Sequence, residues 1–211
     1  MVFVCLFPYN PCSINWLDVF WGQPEKDLLG RGAMACLVAL REKADKLLFG
    51  GGLRLLTGEA VAQVKHNFLM EHIGQLASLE EAQGFVLGQL SEIVVIDNNP
   101  TNNNTAKIAQ WHRSVFNQED LGHSRNRVIV VADYNHGPRA FNDTMAVFGD
   151  LLPRVRVELV CSDVPYDGEP GDCIIFEPPL IEAMGGREEV MGLVVHNKHK
   201  AGKAKVGQAG W

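Results

Sequence analysis

The sequence predicts an α/β fold: a Rossmann-like three-layer sandwich, with a mainly parallel sheet of about five strands and helices on both faces. Three observations predict it. First, short apolar runs alternate with stretches of helical spacing, the pattern of βαβ units. Second, Ile93-Val94-Val95-Ile96 and Val128-Ile129-Val130-Val131 are apolar without alternation, as in strands covered on both faces. Third, a polar cluster follows each of three runs. Gly50-Gly51-Gly52 follows Leu47-Leu48-Phe49, Asn102-Asn103-Asn104-Thr105 follows the Ile93 run, and His136-Gly137-Pro138-Arg139 follows the Val128 run. If the strands are parallel, all three clusters fall on one edge of the sheet, the edge where open α/β sheets bind ligands.

The elements follow in order. Residues 2–7, Val-Phe-Val-Cys-Leu-Phe, read as a buried first strand. They are too short for the roughly 20 residues of a membrane span, and no basic segment marks a signal peptide. The loop 8–24 mixes Pro, Asn and Gly with Tyr9, Trp16 and Trp21. Its length suits a functional loop or one that carries a short helix. Leu28, Leu29, Ala33, Leu37 and Leu40 recur at three- and four-residue steps, which predicts a helix from about Asp27. A strand over 46–49 ends in the glycines. A helix over about 58–73 would bury Val61, Val64, Phe68 and Ile73, and 79–90 reads as another helix. A strand over 93–97, a helix over about 104–117, a strand over 127–132, a helix over about 137–151 and a fifth strand over 155–161 complete the core. Beyond residue 163 come a turn-rich stretch, a short apolar run at 173–176 and a helix near 179–191. One domain over 1–195 is expected, followed by a basic, flexible tail over 196–211.

The 211 residues carry a net charge of -6 and a sequence pI of about 5.6, so bulk charge gives no footprint for nucleic acid. The five cysteines, Cys5, Cys12, Cys36, Cys161 and Cys173, contain no CxxC pair. Reduced thiols in a cytoplasmic protein are the expectation, and no metal-ligand spacing is present. Cys161 and Cys173 are expected to pack rather than react.

Each cluster has a chemistry and a plainer structural role. Gly50, Gly51 and Gly52 let the backbone approach a ligand and offer N–H groups to an anion, or form an ordinary turn. Neither GxGxxG nor a Walker lysine is present. Glu59 can contact a ribose or favour the helix dipole. Asn104 and Thr105 can hydrogen-bond a ligand or cap a helix. His136 and Arg139, three apart, share a helix face behind Pro138. A His at a helix N-terminus is held neutral and suits proton transfer, and Arg139 offers a fork for phosphate or carboxylate. The plain alternative pairs Arg139 with an acid such as Asp133. Asp97 and Asp133 end or follow strands, where they can serve as bases, metal ligands or turn residues. His196, His199 and the tail lysines read as a solvated tail.

Arg31 and Ala35 on an early helix, the Gly-Gly strand end, Glu59-Ala60, Asn104-Thr105 and Tyr134-Asn135-His136-Gly137-Pro138-Arg139-Ala140 together resemble the YdcF-like family, which includes the SanA and ElyC proteins. The similarity spans about residues 28–163. The chain has Pro8-Tyr9-Asn10-Pro11 where the family has a glycine turn, and Ile108 in place of its second Asn. The resemblance implies a Rossmann-type domain and a link to cell-envelope biogenesis. Three functions are therefore expected in order. The first is binding of a small anionic, nucleotide-like or phosphate-bearing ligand, S-adenosylmethionine among the candidates, through Gly50, Gly51, Gly52, Glu59, Asn104, Thr105, His136 and Arg139. The second is an enzyme acting on a phosphorylated or sugar-linked metabolite with His136 as acid/base. The third is a non-catalytic interaction module.

Overall fold

The computed structural model describes residues 1–7, 19–52, 59–102, 104–119, 126–133, 136–152 and 154–164. The expectations for 173–176, 179–191, the tail, Cys12, Cys173 and most of the 8–24 loop lie outside the described residues.

The strands are β1 (Val2–Leu6), β2 (Gly22–Gln23), β3 (Leu28–Leu29), β4 (Lys46–Phe49), β5 (Val94–Ile96), β6 (Asn126–Ala132) and β7 (Val155–Cys161). The helices are α1 (Arg31–Arg41), α2 (Val61–His72), α3 (Gln89–Ile93), α4 (Thr105–Phe116) and α5 (Gly137–Phe148). Five strands form one sheet in the order β5-β4-β1-β6-β7, and every neighbouring pair is parallel. The chain winds outward from β1 through β4 to β5, then crosses back to β6 and β7. The two directions part between β1 and β6, so the switch point of the sheet lies at their carboxyl ends.

The β-branched and aromatic runs form central strands because both of their faces can be buried. Val4, Leu6, Leu47, Phe49, Ile129 and Val131 face a core shared with α1 and α2. Phe3, Cys5, Phe7, Leu48, Val128 and Val130 face a second core shared with α4 and α5. These two cores make the three layers. At the amino edge of the sheet, Arg127 donates to both carboxylate oxygens of Glu158 on β7 (2.8 and 3.1 Å) and to Glu42 after α1 (2.7 Å). Among the described residues, no helix is long and apolar enough to cross a membrane.

Three expectations are corrected. The helix expected from Asp27 starts at Arg31, behind Gly30 as N-cap. Leu28 and Leu29 instead pair antiparallel with Gln23 and Gly22, and Asp27 turns the chain with a φ of 56°. The single helix expected over 79–90 is replaced by short 3-10 turns, Ile73–Ser78 and Glu80–Ala82, and by α3. Gly84 and Gly88 in this stretch weaken a continuous helix; of the apolar face expected here, Leu79, Ala82 and Leu90 are buried, Phe85 is half-buried and Val86 is exposed. The third correction concerns α2. Its buried residues are Val61, Ala62, Lys65 and Leu69, whereas Val64 and Phe68 are only half-buried. The inner stripe is rotated by about one residue from the one the apolar pattern suggested, and it carries a lysine inward.

Candidate functional site

The site grows from the two strand ends at the switch point. Phe7, just past β1, donates its N–H to the Val131 carbonyl (3.1 Å), which locks the two strand ends together. Asp133 directly follows β6. Its backbone carbonyl accepts from Gly137 N–H (2.7 Å), and its Oδ1 accepts from His136 N–H (2.8 Å). A strand-end Asp thus caps the start of α5, where backbone N–H groups lack helical partners.

Arg31, the first residue of α1, reaches across these ends and is almost fully buried. Its Nη2 forms an ion pair with Asp133 Oδ2. Its Nη1 donates to the Phe7 carbonyl (3.2 Å) and to His136 Nδ1 (3.3 Å). An arginine has no acceptor to offer, so Nδ1 must present its lone pair. The imidazole proton then belongs on Nε2, which donates to Thr105 Oγ1 at 3.2 Å. Arg31, Asp133, His136 and Thr105 form one buried network drawn from α1, the residue after β6, the residue before α5, and α4.

Electrostatics hold the imidazole neutral. Burial lowers the His136 pKa well below its ordinary value, and the charges of Arg31, Arg139 and Lys65 lower it further. The neutral state expected from the helix start is therefore reached mainly by desolvation and neighbouring cations. Arg139 is half-buried, and its Nε lies 4.0 Å from Asp143 Oδ2. The partner suggested for it, Asp133, is taken by Arg31 instead.

The other predicted residues divide. Thr105 joins the network, while Asn104 caps α4 by accepting from Lys107 N–H (3.0 Å) and is exposed. Glu59 is exposed just before α2. All three glycines are buried, not exposed as expected for an anion cradle. Gly50 N–H donates to the Leu6 carbonyl (3.3 Å) and Gly52 N–H to Asp97 Oδ2 (3.2 Å). A Cβ on Gly50 would lie 2.4 Å from Ile108 Cγ2, and one on Gly52 would lie 2.0 Å from the Asn99 carbonyl oxygen. Close packing thus accounts for both glycines. Asp97 is fully buried and accepts from Asn99 N–H (3.0 Å) and from Asn102 Nδ2 (3.1 and 3.0 Å), so it organises this turn. Among the described residues, no three His, Cys, Asp or Glu side chains are grouped to hold a metal.

Two site residues escaped the spacing argument. Arg31 entered only through the family resemblance, because a lone arginine at a helix start looks like any solvated cation. Lys65 gave no signal at all, since a lysine within an amphipathic helix is ordinarily placed outside. Comparison with protein-family models, curated proteins and solved structures yields no match to this chain.

Proposed function

We propose that this protein binds a small anionic ligand, nucleotide-like or phosphate-bearing, in the crevice at the carboxyl ends of β1 and β6. The observation that carries the reading is the concentration of positive charge at the switch point. The basic side chains of Arg31, Arg139 and Lys65 all act on the His136 imidazole, and Arg31 pairs with Asp133. An anion at this edge would therefore meet basic groups. The guanidinium fork of Arg139 suits a phosphoryl or carboxylate group, and the start of α5 favours negative charge. Arg31, Thr105, His136 and Arg139 also belong to the segments behind the YdcF-like resemblance, so membership of that family is part of the proposal. S-adenosylmethionine stays a candidate as an adenosyl ligand.

A second reading is an enzyme acting on a phosphorylated or sugar-linked metabolite. It is favoured by one observation: a neutral imidazole is the form that a base near pH 7 requires. Both ring nitrogens of His136 are engaged, at 3.3 Å with Arg31 and 3.2 Å with Thr105. Catalysis therefore requires the substrate to displace one of these partners, and binding needs no such exchange.

Thermal unfolding with inorganic phosphate, ADP, glucose 6-phosphate and S-adenosylmethionine tests the reading. A ligand at a hundred times its Kd adds about 2.7 kcal/mol of stability, a rise of several degrees in Tm for a domain of this size. Arg139→Gln should reduce that rise at equal ligand concentration. If no compound in the panel moves Tm, the binding proposal fails and the interaction-module reading takes its place. Turnover of a phosphate ester that vanishes in His136→Ala while the ligand-induced Tm shift persists would establish the enzyme.

A further inference from the structure

β7 is an edge strand: it pairs with β6 on one side, and among the described residues no strand pairs with its other side. The ladder to β6 runs unbroken from Val155 to Cys161. Neither a proline nor a bulge interrupts it, and those are devices that blunt an open edge. The strand ends show which backbone groups are free. The Arg154 carbonyl accepts from Asn126 N–H (3.1 Å) and Ser162 N–H donates to the Ala132 carbonyl (3.0 Å), so both residues point at β6. Successive residues of a strand turn their N–H and C=O to alternate sides. Arg156, Glu158 and Val160 therefore bond to β6, while Val155, Val157, Leu159 and Cys161 aim theirs at the open edge.

The side chains of this strand complement a second copy of themselves. Arg156 and Glu158 share one face, with Arg156 Nε 3.2 Å from Glu158 Oε1. Arg156 also stands directly opposite Arg127 of β6, a like-charge pair bridged by Glu158. On the other face Val157 and Leu159 are half-buried and pack against the second core. Only the outward-facing residues can bond across the edge, which limits an antiparallel pairing of two copies to alternate registers. A two-fold axis at Val157 sets each Arg156 opposite Glu158 of the second copy, and each Val155 opposite Leu159. Axes at Val155, Arg156 or Glu158 oppose like charges, and an axis at Leu159 sets Glu158 against Val160.

We infer that the outer edge of β7 is a homodimer interface, with two copies of this chain paired antiparallel about a two-fold axis at Val157. Val157 meets its counterpart in a hydrogen-bonded pair. Arg156 and Glu158 fall in the adjacent non-hydrogen-bonded pairs, where side chains approach most closely. The same strip serves both copies, as a two-fold interface requires. The two five-stranded sheets join edge to edge, and Val155, Val157 and Leu159 make one apolar row across the join. β1 and β6 run parallel to β7, so their carboxyl ends point opposite ways in the two copies. The interface leaves each switch point free and is independent of the ligand reading above.

Sedimentation velocity of the full chain over a concentration series, with hydrogen exchange along β7, tests it. The expected result is a monomer–dimer equilibrium in which the Val157 and Leu159 N–H groups are protected in the dimer. Arg156→Glu sets two glutamates against Glu158 of the opposite copy. It should weaken the dimer at least about tenfold and release both N–H groups to exchange. The Arg156 side chain is 77% exposed, so far-UV circular dichroism should stay that of the parent. Glu158→Arg should weaken the dimer as well, and an equal mixture of the two variants brings opposite charges back into register and should restore it. Where Glu158→Arg does not fold, because it also loses its pairing with Arg127, the Arg156→Glu and exchange results decide alone. A chain that stays monomeric at every concentration overturns the inference and leaves the edge to another occupant. So does a dimer indifferent to Arg156→Glu, or one whose Val157 N–H exchanges freely. Two folded variants that each lose the dimer and do not recover it when mixed overturn the axis at Val157.

Discussion

Asp133 performs two tasks with one carboxylate. Oδ1 holds the His136 N–H at 2.8 Å and Oδ2 pairs with Arg31. Arg31→Met removes the cation and leaves the largely buried Asp133 carboxylate with the His136 N–H but without the Arg31 charge. Such a broken pair costs about 3–5 kcal/mol. Urea unfolding should show this loss, and the double variant Arg31→Met/Asp133→Asn should recover a large part, because an asparagine oxygen can still accept from His136 N–H. Full additivity of the two substitutions would contradict the pairing. A second residue-scale prediction concerns His112, which is fully buried with neither ring nitrogen hydrogen-bonded. Its ring meets the Phe7 ring edge-on at 4.9 Å, and burial pushes its pKa down to about 3 from the ordinary 6.5. The unfolded chain binds a proton there below pH 6.5, and the folded chain does not until about pH 3. Stability is therefore complete above the unfolded value and falls with acidification, on the order of 1.4 kcal/mol per pH unit across that window. His136 adds a loss of the same sign. His112→Leu should flatten the acid limb of a stability-versus-pH curve measured by urea titration, and an unchanged limb would rule His112 out as a source.

At the level of elements, the turn after β4 and the start of α4 are fitted to each other. Ile108 and His112, four apart on α4, both press on Gly50. Gly50→Ala should cost about 1–3 kcal/mol as an overpacking change. The companion change Ile108→Ala opens the space that the new methyl needs, so a double-mutant cycle should give a favourable coupling. Absence of coupling would mean that Gly50 is required for its backbone and not for this contact. Ile108 thus packs its apolar side chain against the glycine turn. α2 shows why element-level reading reached its limit. Val61, Val64, Phe68 and Ile73 make a plausible helical stripe, yet the buried line runs through Val61, Ala62, Lys65 and Leu69. Phe68 instead stacks on His72 with centroids 3.9 Å apart and meets Trp21 edge-on at 5.9 Å. Aromatic residues can satisfy an amphipathic pattern from the flank of a helix, and only the neighbours decide which flank is covered.

For the whole molecule, the parallel α/β architecture was legible because continuous apolar runs and helical spacing are set by burial on two faces, which is a local property of the chain. The placement of polar clusters after the strands was legible for the same reason, since parallel strands bring their carboxyl ends to one edge. Thr105 and His136 do meet across that edge, 3.2 Å apart, from helices that begin 32 residues apart in the chain. The sheet order was not legible, because Val, Ile and Leu pair with one another without preference, so register and neighbour depend on crossovers rather than on strand composition. By itself, then, the sequence determined the class of fold, the five strands of the parallel sheet, and the edge on which Thr105 and His136 meet. The tertiary structure alone decided that Arg31 pairs with Asp133, that Gly50 and Gly52 are closely packed, and that Lys65 points inward. Those outcomes depend on which helix faces lie against which strand ends, and a cation's partner is chosen by distance in space, which residue spacing along one helix does not encode.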